Sequence, residues 1–194
     1  MEEAIKILIV PSLDFDWEAE KLGEKLADMG YKIEMTEGAF GEICGLEYLA
    51  RSNYQSCKPD VVLAIGIGCI TVGKFVESTR IMINPNFHYS DFLKKWVDEH
   101  EERIKSGLCN ESWVLQTKQD CKDAKYDAQV AERLESMDYS LRGKKPMLGI
   151  FTHESDNMAD YEDRYGVYEV DLSLTLSKSE SLDIIAKRID LFLK

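Results

Sequence analysis

Hydrophobic residues fall into six short runs along the chain, and longer stretches in which apolar residues recur with helical spacing separate them. Continuous β-branched runs, such as the first, are typical of strands that are covered on both faces of a parallel sheet. The pattern therefore predicts a mostly parallel sheet of about six strands. The runs, in chain order, are AIKILIV (4–10), YKIEMTE (31–37), DVVLAIG (60–66), RIMINP (80–85), KPMLGIF (145–151) and VYEVDLS (167–173).

Most of the stretches between these runs predict helices. Asp16 can cap the first helix and Gly30 can end it, because short polar side chains favour the N-cap and glycine favours the C-terminal stop. Further helices are predicted from Gly45 to Cys57, from about Cys69 to Ser78 and around Asn157 to Tyr165. Strands that alternate with helices imply right-handed crossovers and a three-layer α/β/α fold. Apolar faces are formed by Ala19, Leu22, Leu26 and Met29 in the first helix and by Leu182, Ile185, Ile189 and Phe192 in the last.

Residues 86 to about 140 interrupt this alternation. They carry mixed charge, show no strand pattern and predict three short helices, with clear helical spacing at Val130, Leu134 and Met137. We interpret this segment as a helical lid inserted over one end of the sheet. Since the sequence contains no internal repeat and no low-complexity linker, residues 1–194 are predicted to form a single domain that carries this insertion.

Composition and charge limit the classes of partner. The chain of 194 residues is 44% hydrophobic, which is enough for one core, and its 36 acidic and 24 basic residues give a formal net charge of -12. This charge repels phosphate backbones and anionic lipids, so we expect neither a nucleic-acid nor a membrane partner. The first apolar run contains a lysine and is too short for a signal peptide or a membrane span, which predicts a cytoplasmic protein.

No metal or cofactor is expected from the sequence. The five cysteines are odd in number and contain no C-x-x-C pair, so neither a disulfide framework nor a zinc site is indicated. The acidic segment HESDNMADYED lacks the glycine and the terminal glutamate of a calcium loop. We interpret it as a solvated helix start with Asp156 as the cap.

The segment Ala64-Ile65-Gly66-Ile67-Gly68 has the spacing of a nucleophile elbow, in which small residues two positions before and after the apex let a strand turn sharply into a helix. A reactive side chain would stand at the apex, but the residue there is Gly66. The two glycines also resemble half of a dinucleotide-binding fingerprint. Thr71 stands where the third glycine would be and no acidic residue ends the next strand, so this alternative is the weaker one.

In these features the chain resembles the small α/β-hydrolase family of bacterial esterases and thioesterase-like proteins, especially the short YqiA-like esterases. The resemblance covers almost the whole chain in order and spacing. ILIVPSLDF corresponds to the family's first strand and oxyanion loop, and DVVLAIGIGC to its strand, elbow and helix. IMINPNFH corresponds to the strand that opens into the lid, and GIFTHESD to the late strand that is followed by the catalytic acid.

The resemblance implies a triad of serine, acid and histidine in that chain order. Gly66 occupies the nucleophile position, and Asp156 or Glu154 would be the acid. The histidine should follow the strand YEVDL, where residues 173–177 read Ser-Leu-Thr-Leu-Ser, and the sequence contains no histidine after His153. The resemblance therefore implies a degenerate triad.

Three other residues are candidates outside the family pattern. Cys69 lies in the first turn of the predicted elbow helix, where the helix dipole would lower a thiol pKa, although a buried cysteine that packs this helix onto the sheet is the simpler interpretation. His153 could act as a general base or a metal ligand, or simply bond to neighbouring carboxylates. His88, at the entrance to the predicted lid, could line a ligand pocket.

Backbone groups of an oxyanion hole do not depend on the nucleophile. The resemblance places them at the N–H of Ile67 and at an N–H near Ser12 or Leu13, where they could hold a carbonyl or a carboxylate. The sequence thus favours a hydrolase-like protein that has lost triad catalysis and binds a small acyl or carboxylate ligand or a protein partner, with a homo-oligomer also open. The alternatives are an active esterase or thioesterase with non-standard residues, and an interaction protein that docks a partner through Trp96 and Trp113.

Overall fold

All six predicted strands form, and they pair in one parallel sheet in the order β2-β1-β3-β4-β5-β6. The computed structural model describes residues 4–13, 17–36, 42–136, 145–166 and 168–194. Buried residues fill the central strands, as their continuous apolar runs predict, because both faces of the sheet are covered. The strands are β1 (Lys6–Val10), β2 (Lys32–Met35), β3 (Val61–Ile65), β4 (Thr79–Ile83), β5 (Met147–Phe151) and β6 (Tyr168–Val170).

Helices connect the strands and cover both faces of the sheet. The helices are α1 (Trp17–Asp28), α2 (Ile43–Cys57), α3 (Gly68–Thr71), α4 (Tyr89–Lys105), α5 (Glu111–Glu135), α6 (Asn157–Tyr165) and α7 (Ser179–Leu193). On one face, α1 and α7 pack through Leu22, Leu26 and Ile185 against alternate strand residues. On the other face, Tyr161 of α6 lies directly over Gly149 of β5. The predicted α/β/α layering is therefore consistent with the structure.

The boundaries of α1 and α3 differ from the prediction. Helix α1 ends at Asp28, so Met29 lies beyond the helix and is exposed, and the predicted cap Asp16 lies outside the described residues. Helix α3 contains four residues instead of about ten, because the hydroxyl of Thr71 bonds to the carbonyl of Gly68 and the chain leaves the helix before Gly73. β-branched residues followed by glycine lower helix propensity at this point.

The chain comprises two compact units, of which the first contains the sheet (Met1–Asn86 and Asp138–Lys194) and the second is Phe87–Met137. The second unit contains the two helices α4 and α5 instead of the three short helices that the sequence predicts. Glu135 at the end of α5 accepts hydrogen bonds from the N–H and the hydroxyl of Ser90 at the start of α4, at 3.0 and 2.5 Å. This buried carboxylate fixes the two ends of the unit next to each other.

The tryptophans of the predicted docking surface lie within the second unit. Trp96 and Trp113 are half-buried, and both stack on His100, at ring-centroid distances of 3.8 and 6.4 Å. Much of their aromatic surface is therefore used inside the unit.

Among the helices of the described residues, none has the length and apolar character to cross a membrane.

Candidate functional site

The strand order identifies the loops in which a ligand site is expected. From β1 the chain moves to one side to form β2, then crosses to the other side to form β3, so the topological switch point lies between β1 and β3. Ligands of open parallel sheets bind at such a point, outside the carboxyl ends of the strands. The relevant segments are residues 11–13 after β1 and residues 66–67 after β3, which we call the switch-point loops.

Gly66 forms a sharp turn directly after β3. Its φ of 56° lies in the left-handed region, which glycine enters without steric cost. Its N–H donates to the carbonyl of Ile83, at 2.9 Å, and its carbonyl accepts from Cys69 N and Asn86 N, each at 3.2 Å. The turn is therefore held by backbone bonds to the end of β4 and to the segment that follows it.

The two switch-point loops and the first residue of α3 are in close contact. A Cβ atom on Gly68 would lie 2.4 Å from the carbonyl oxygen of Pro11 and 2.7 Å from that of Val10, so only a residue without a side chain fits there. A Cβ atom on Gly66 would lie 3.1 Å from Oγ of Ser12. Ser12 therefore borders the space into which an apical nucleophile would project.

Unpaired hydrogen-bond donors are present at these loops. The N–H groups of Ser12 and Ile67 and the hydroxyl of Ser12 have no hydrogen-bond partner within the described part of the chain. Both residues are half-buried, whereas the Leu13 side chain is buried, with 4% of its surface exposed. Helix α3 has four residues, so its dipole adds little, and any attraction for an anion must come from the individual donors.

Cys69 lies in the core under this turn. Its side chain is completely buried, and its thiol faces the carbonyl of Ile83 at 4.0 Å. Burial raises the pKa of the Cys69 thiol far above its ordinary value, opposite to the decrease expected at a helix N-terminus. Cys69 packs the short helix onto the sheet and has no access to solvent, which argues against a role as nucleophile.

The residues proposed as the catalytic acid lie after β5. His153, Glu154 and Asp156 are exposed, and Asp156 precedes α6 but makes no side-chain hydrogen bond to cap it. A surface depression of about 510 Å³ adjoins this segment, and neither switch-point loop contributes to it. Its lining residues are Glu154, Ser155, Asp156, Met158, Ala159, Glu162 and Tyr168. In the described ranges, no group of three or more His, Cys, Asp or Glu side chains could hold a metal ion.

The loop after β6, where the family would place its histidine, is a polar turn. Oδ1 of Asp171 accepts from the N–H and the hydroxyl of Ser173, at 3.0 and 2.6 Å, and Oδ2 accepts from Arg188 at 2.7 Å. These hydrogen bonds and the positive charge of Arg188 lower the pKa of Asp171. No side chain of this loop has the imidazole needed for a general base.

His88, the remaining candidate, is exposed, precedes α4 and belongs to the second unit.

Sequence reasoning missed a polar pair that joins the ends of β4 and β5. The side-chain amide of Asn84 donates from Nδ2 to Oγ1 of Thr152 and accepts from its N–H, each at 2.8 Å. Asn84 has a φ of 45°, a conformation that asparagine tolerates better than most residues. The only sign of this pair in the sequence is an asparagine between a strand and a proline. Its partner Thr152 is 68 positions away, so the sequence does not indicate the contact. The pair fixes the strand ends beside Gly66.

Replacing Asn84 tests this pair. We expect Asn84→Gly to lower the free energy of unfolding by about 1 kcal/mol, because the buried N–H of Thr152 loses its acceptor while the backbone keeps its conformation. Asn84→Asp should remain close to the wild type, since its carboxylate can accept from both the N–H and the hydroxyl of Thr152. Urea denaturation of the three proteins measures the difference, and equal losses in both variants would contradict this role.

The fold and this arrangement define an α/β protein with an all-parallel sheet and a glycine turn at its switch point. No model of a known protein family matches the chain, and the search of curated proteins found no match. The functional argument therefore depends on the geometry of the chain itself.

Proposed function

We propose that this protein is an α/β-hydrolase-like protein that has lost triad catalysis, and that its switch-point loops bind a small acyl or carboxylate ligand without cleaving it. The main observation behind this proposal is the conformation of Gly66, which forms the turn after β3 with a φ of 56°. Glycine has no side chain that could react at this position. The strand order supports the assignment, because β1, β3, β5 and β6 precede the loops in which the family has its oxyanion groups, nucleophile, acid and histidine.

Loss of catalysis follows from the chemistry of these positions. Acyl transfer by a triad needs a nucleophile and a base within hydrogen-bond distance of each other. Gly66 supplies no nucleophile, and the polar turn at Asp171 and Ser173 contains no histidine to act as the general base. The thiol of Cys69 is buried and protonated at neutral pH, so it does not replace them.

Binding is supported by the donors that remain. The hydroxyl of Ser12 borders the space left by the missing nucleophile, and the N–H of Ile67 belongs to the residue that follows Gly66. A carbonyl or carboxylate oxygen in that space could accept from both, which matches the polar requirement of an oxyanion hole. The backbone bonds of Gly66 to Ile83 and Asn86 hold the turn in place before a ligand arrives, so little ordering cost remains.

An activity assay tests the loss of catalysis. We expect the purified protein to leave short p-nitrophenyl esters and acyl-CoA thioesters unhydrolysed, at rates no higher than a buffer control, and to remain unlabelled by a serine-directed fluorophosphonate. A turnover of about one per second or more, the low end of ordinary enzyme rates, that is abolished by Ser12→Ala would establish the alternative of an active hydrolase.

Thermal denaturation tests the binding part separately. Short carboxylates and acyl compounds should raise the melting temperature, and a ligand at a hundredfold excess over its dissociation constant stabilises by about 2.7 kcal/mol. Ser12→Ala should reduce this shift, whereas Ser173→Ala, in the exposed turn after β6, should leave it unchanged. If no compound of the panel shifts the wild-type protein, the ligand-binding proposal is wrong and the interpretation as a partner-binding scaffold is favoured.

A further inference from the structure

Strand β2 forms one edge of the sheet and has β1 as its only strand neighbour among the described residues. Beside it, Glu34 and Met35 border an open surface depression of about 530 Å³ that continues onto α2. An edge strand presents unpaired N–H and C=O groups, which other strands can use for pairing. As far as the described residues show, the sheet is therefore open to extension along β2.

The hydrogen bonds of β2 show which of its groups face outward. Lys32 donates its N–H to the carbonyl of Ile5, and Thr36 donates its N–H to that of Ile9, so both point toward β1. Backbone groups alternate in direction along a strand. Ile33 and Met35 consequently direct their N–H and C=O groups away from the sheet, toward the open edge.

The side chains of β2 point alternately to the two faces of the sheet. Ile33 and Met35 are half-buried and pack against the hydrophobic core. Lys32 and Glu34 are exposed on the opposite face, and within the described residues neither makes an ion pair. Two opposite charges two positions apart thus lie on one face of an open strand.

We propose that a second copy of this chain pairs with β2, antiparallel, about a two-fold axis at Ile33. In this register Ile33 faces Ile33 of the second copy, and the outward groups of the two residues exchange two backbone hydrogen bonds. Lys32 of each copy then faces Glu34 of the other in a non-hydrogen-bonded pair, the arrangement that brings cross-strand side chains closest. The Lys-Ile-Glu sequence is therefore self-complementary in charge.

The opposite edge of the sheet lacks this property. Antiparallel pairing of two copies of β6 about a two-fold axis at Val170 would place Glu169 opposite Asp171. Both of these residues are acidic. Like charges directly opposite each other destabilise a strand pair. In this register β2 is therefore better suited to self-association than β6, and an isologous contact of this kind closes after two copies instead of growing into a fibre.

Charge-reversal variants of the full chain test the pairing. By sedimentation or light scattering over a range of concentrations, the wild type should form a reversible dimer. Lys32→Glu and Glu34→Lys should each raise its dissociation constant about tenfold, because each replaces two attractive pairs with two repulsive ones. The double variant should regain the wild-type constant, and a mixture of the two single variants should form a heterodimer.

Several outcomes would overturn the proposal. A wild type that remains monomeric at the highest concentration would do so, as would single variants that dimerise as tightly as the wild type. The same charges could instead protect the edge against pairing; stronger association of Lys32→Glu or Glu34→Lys would establish that role. Both residues are exposed, and circular dichroism identifies any variant that fails to fold.

Discussion

Gly68→Ala is expected to lower the free energy of unfolding by about 3 kcal/mol, the upper end of the cost of overpacking. The added methyl group would lie 2.4 Å from the carbonyl oxygen of Pro11 and 2.7 Å from that of Val10. Backbone atoms at the end of a central strand cannot rotate away as a side chain can. To relieve this clash, α3 or the end of β1 must move, and this movement separates the switch-point loops.

Gly107→Ala is the matched control for this substitution. Gly107 has a φ of 70° with open space around its Cβ position, so alanine there imposes backbone strain without a contact. At Gly68 the reverse holds: the added Cβ would clash with neighbouring backbone atoms, but the backbone is not in the left-handed region. Urea denaturation of both variants should show the larger loss for Gly68→Ala, and a loss below that of Gly107→Ala would show that the loops are not packed as described.

Gly66→Ser should lower the free energy of unfolding by about 2 kcal/mol and create no esterase activity. The left-handed backbone costs a residue with a side chain about 1–2 kcal/mol, and the new Cβ would also press on Oγ of Ser12 at 3.1 Å. Activity is not expected, because no histidine follows to activate the new hydroxyl. Denaturation and p-nitrophenyl ester hydrolysis measure the two effects.

Ser12→Ala separates the two parts of this cost. In that background the contact with Oγ is gone and the strain at Gly66 remains, so Gly66→Ser should cost less there, by an amount that a double-mutant cycle measures. If Gly66→Ser is neutral or stabilising in the wild type, the backbone is not in an elbow conformation. The hydrolase-like assignment and the binding site that rests on it should then be withdrawn.

The sheet could be predicted from the sequence because its signal is local. Each strand is a short apolar run, and the alternation of such runs with amphipathic segments determines the α/β class. The lengths of α3 and of the helices in the second unit could not be predicted in the same way. At α3, the hydroxyl of Thr71 and the following glycine end the helix, although the apolar pattern continues past them.

The candidate site was only partly accessible to sequence reasoning. The turn at Gly66 was visible because glycine spacing records the need for a sharp turn and a close approach. The pair of Asn84 and Thr152 was not visible, because residues so distant in sequence meet only in the folded sheet. Cys69 is buried, as its simpler interpretation from the sequence predicts, but the increase in its thiol pKa depends on tertiary packing that the sequence does not show.

The hydrogen bonds between Glu135 and Ser90 have a consequence for the order of folding. Strands β4 and β5 are neighbours in the sheet, yet the whole second unit lies between them along the chain. If helices α4 and α5 form before the sheet closes, Glu135 holds the two ends of the hairpin together. The loop that must close to pair β4 with β5 is thereby shortened, which reduces its entropic cost by about 1 kcal/mol. In that order of folding, the inserted hairpin lowers the entropic cost of pairing β4 with β5.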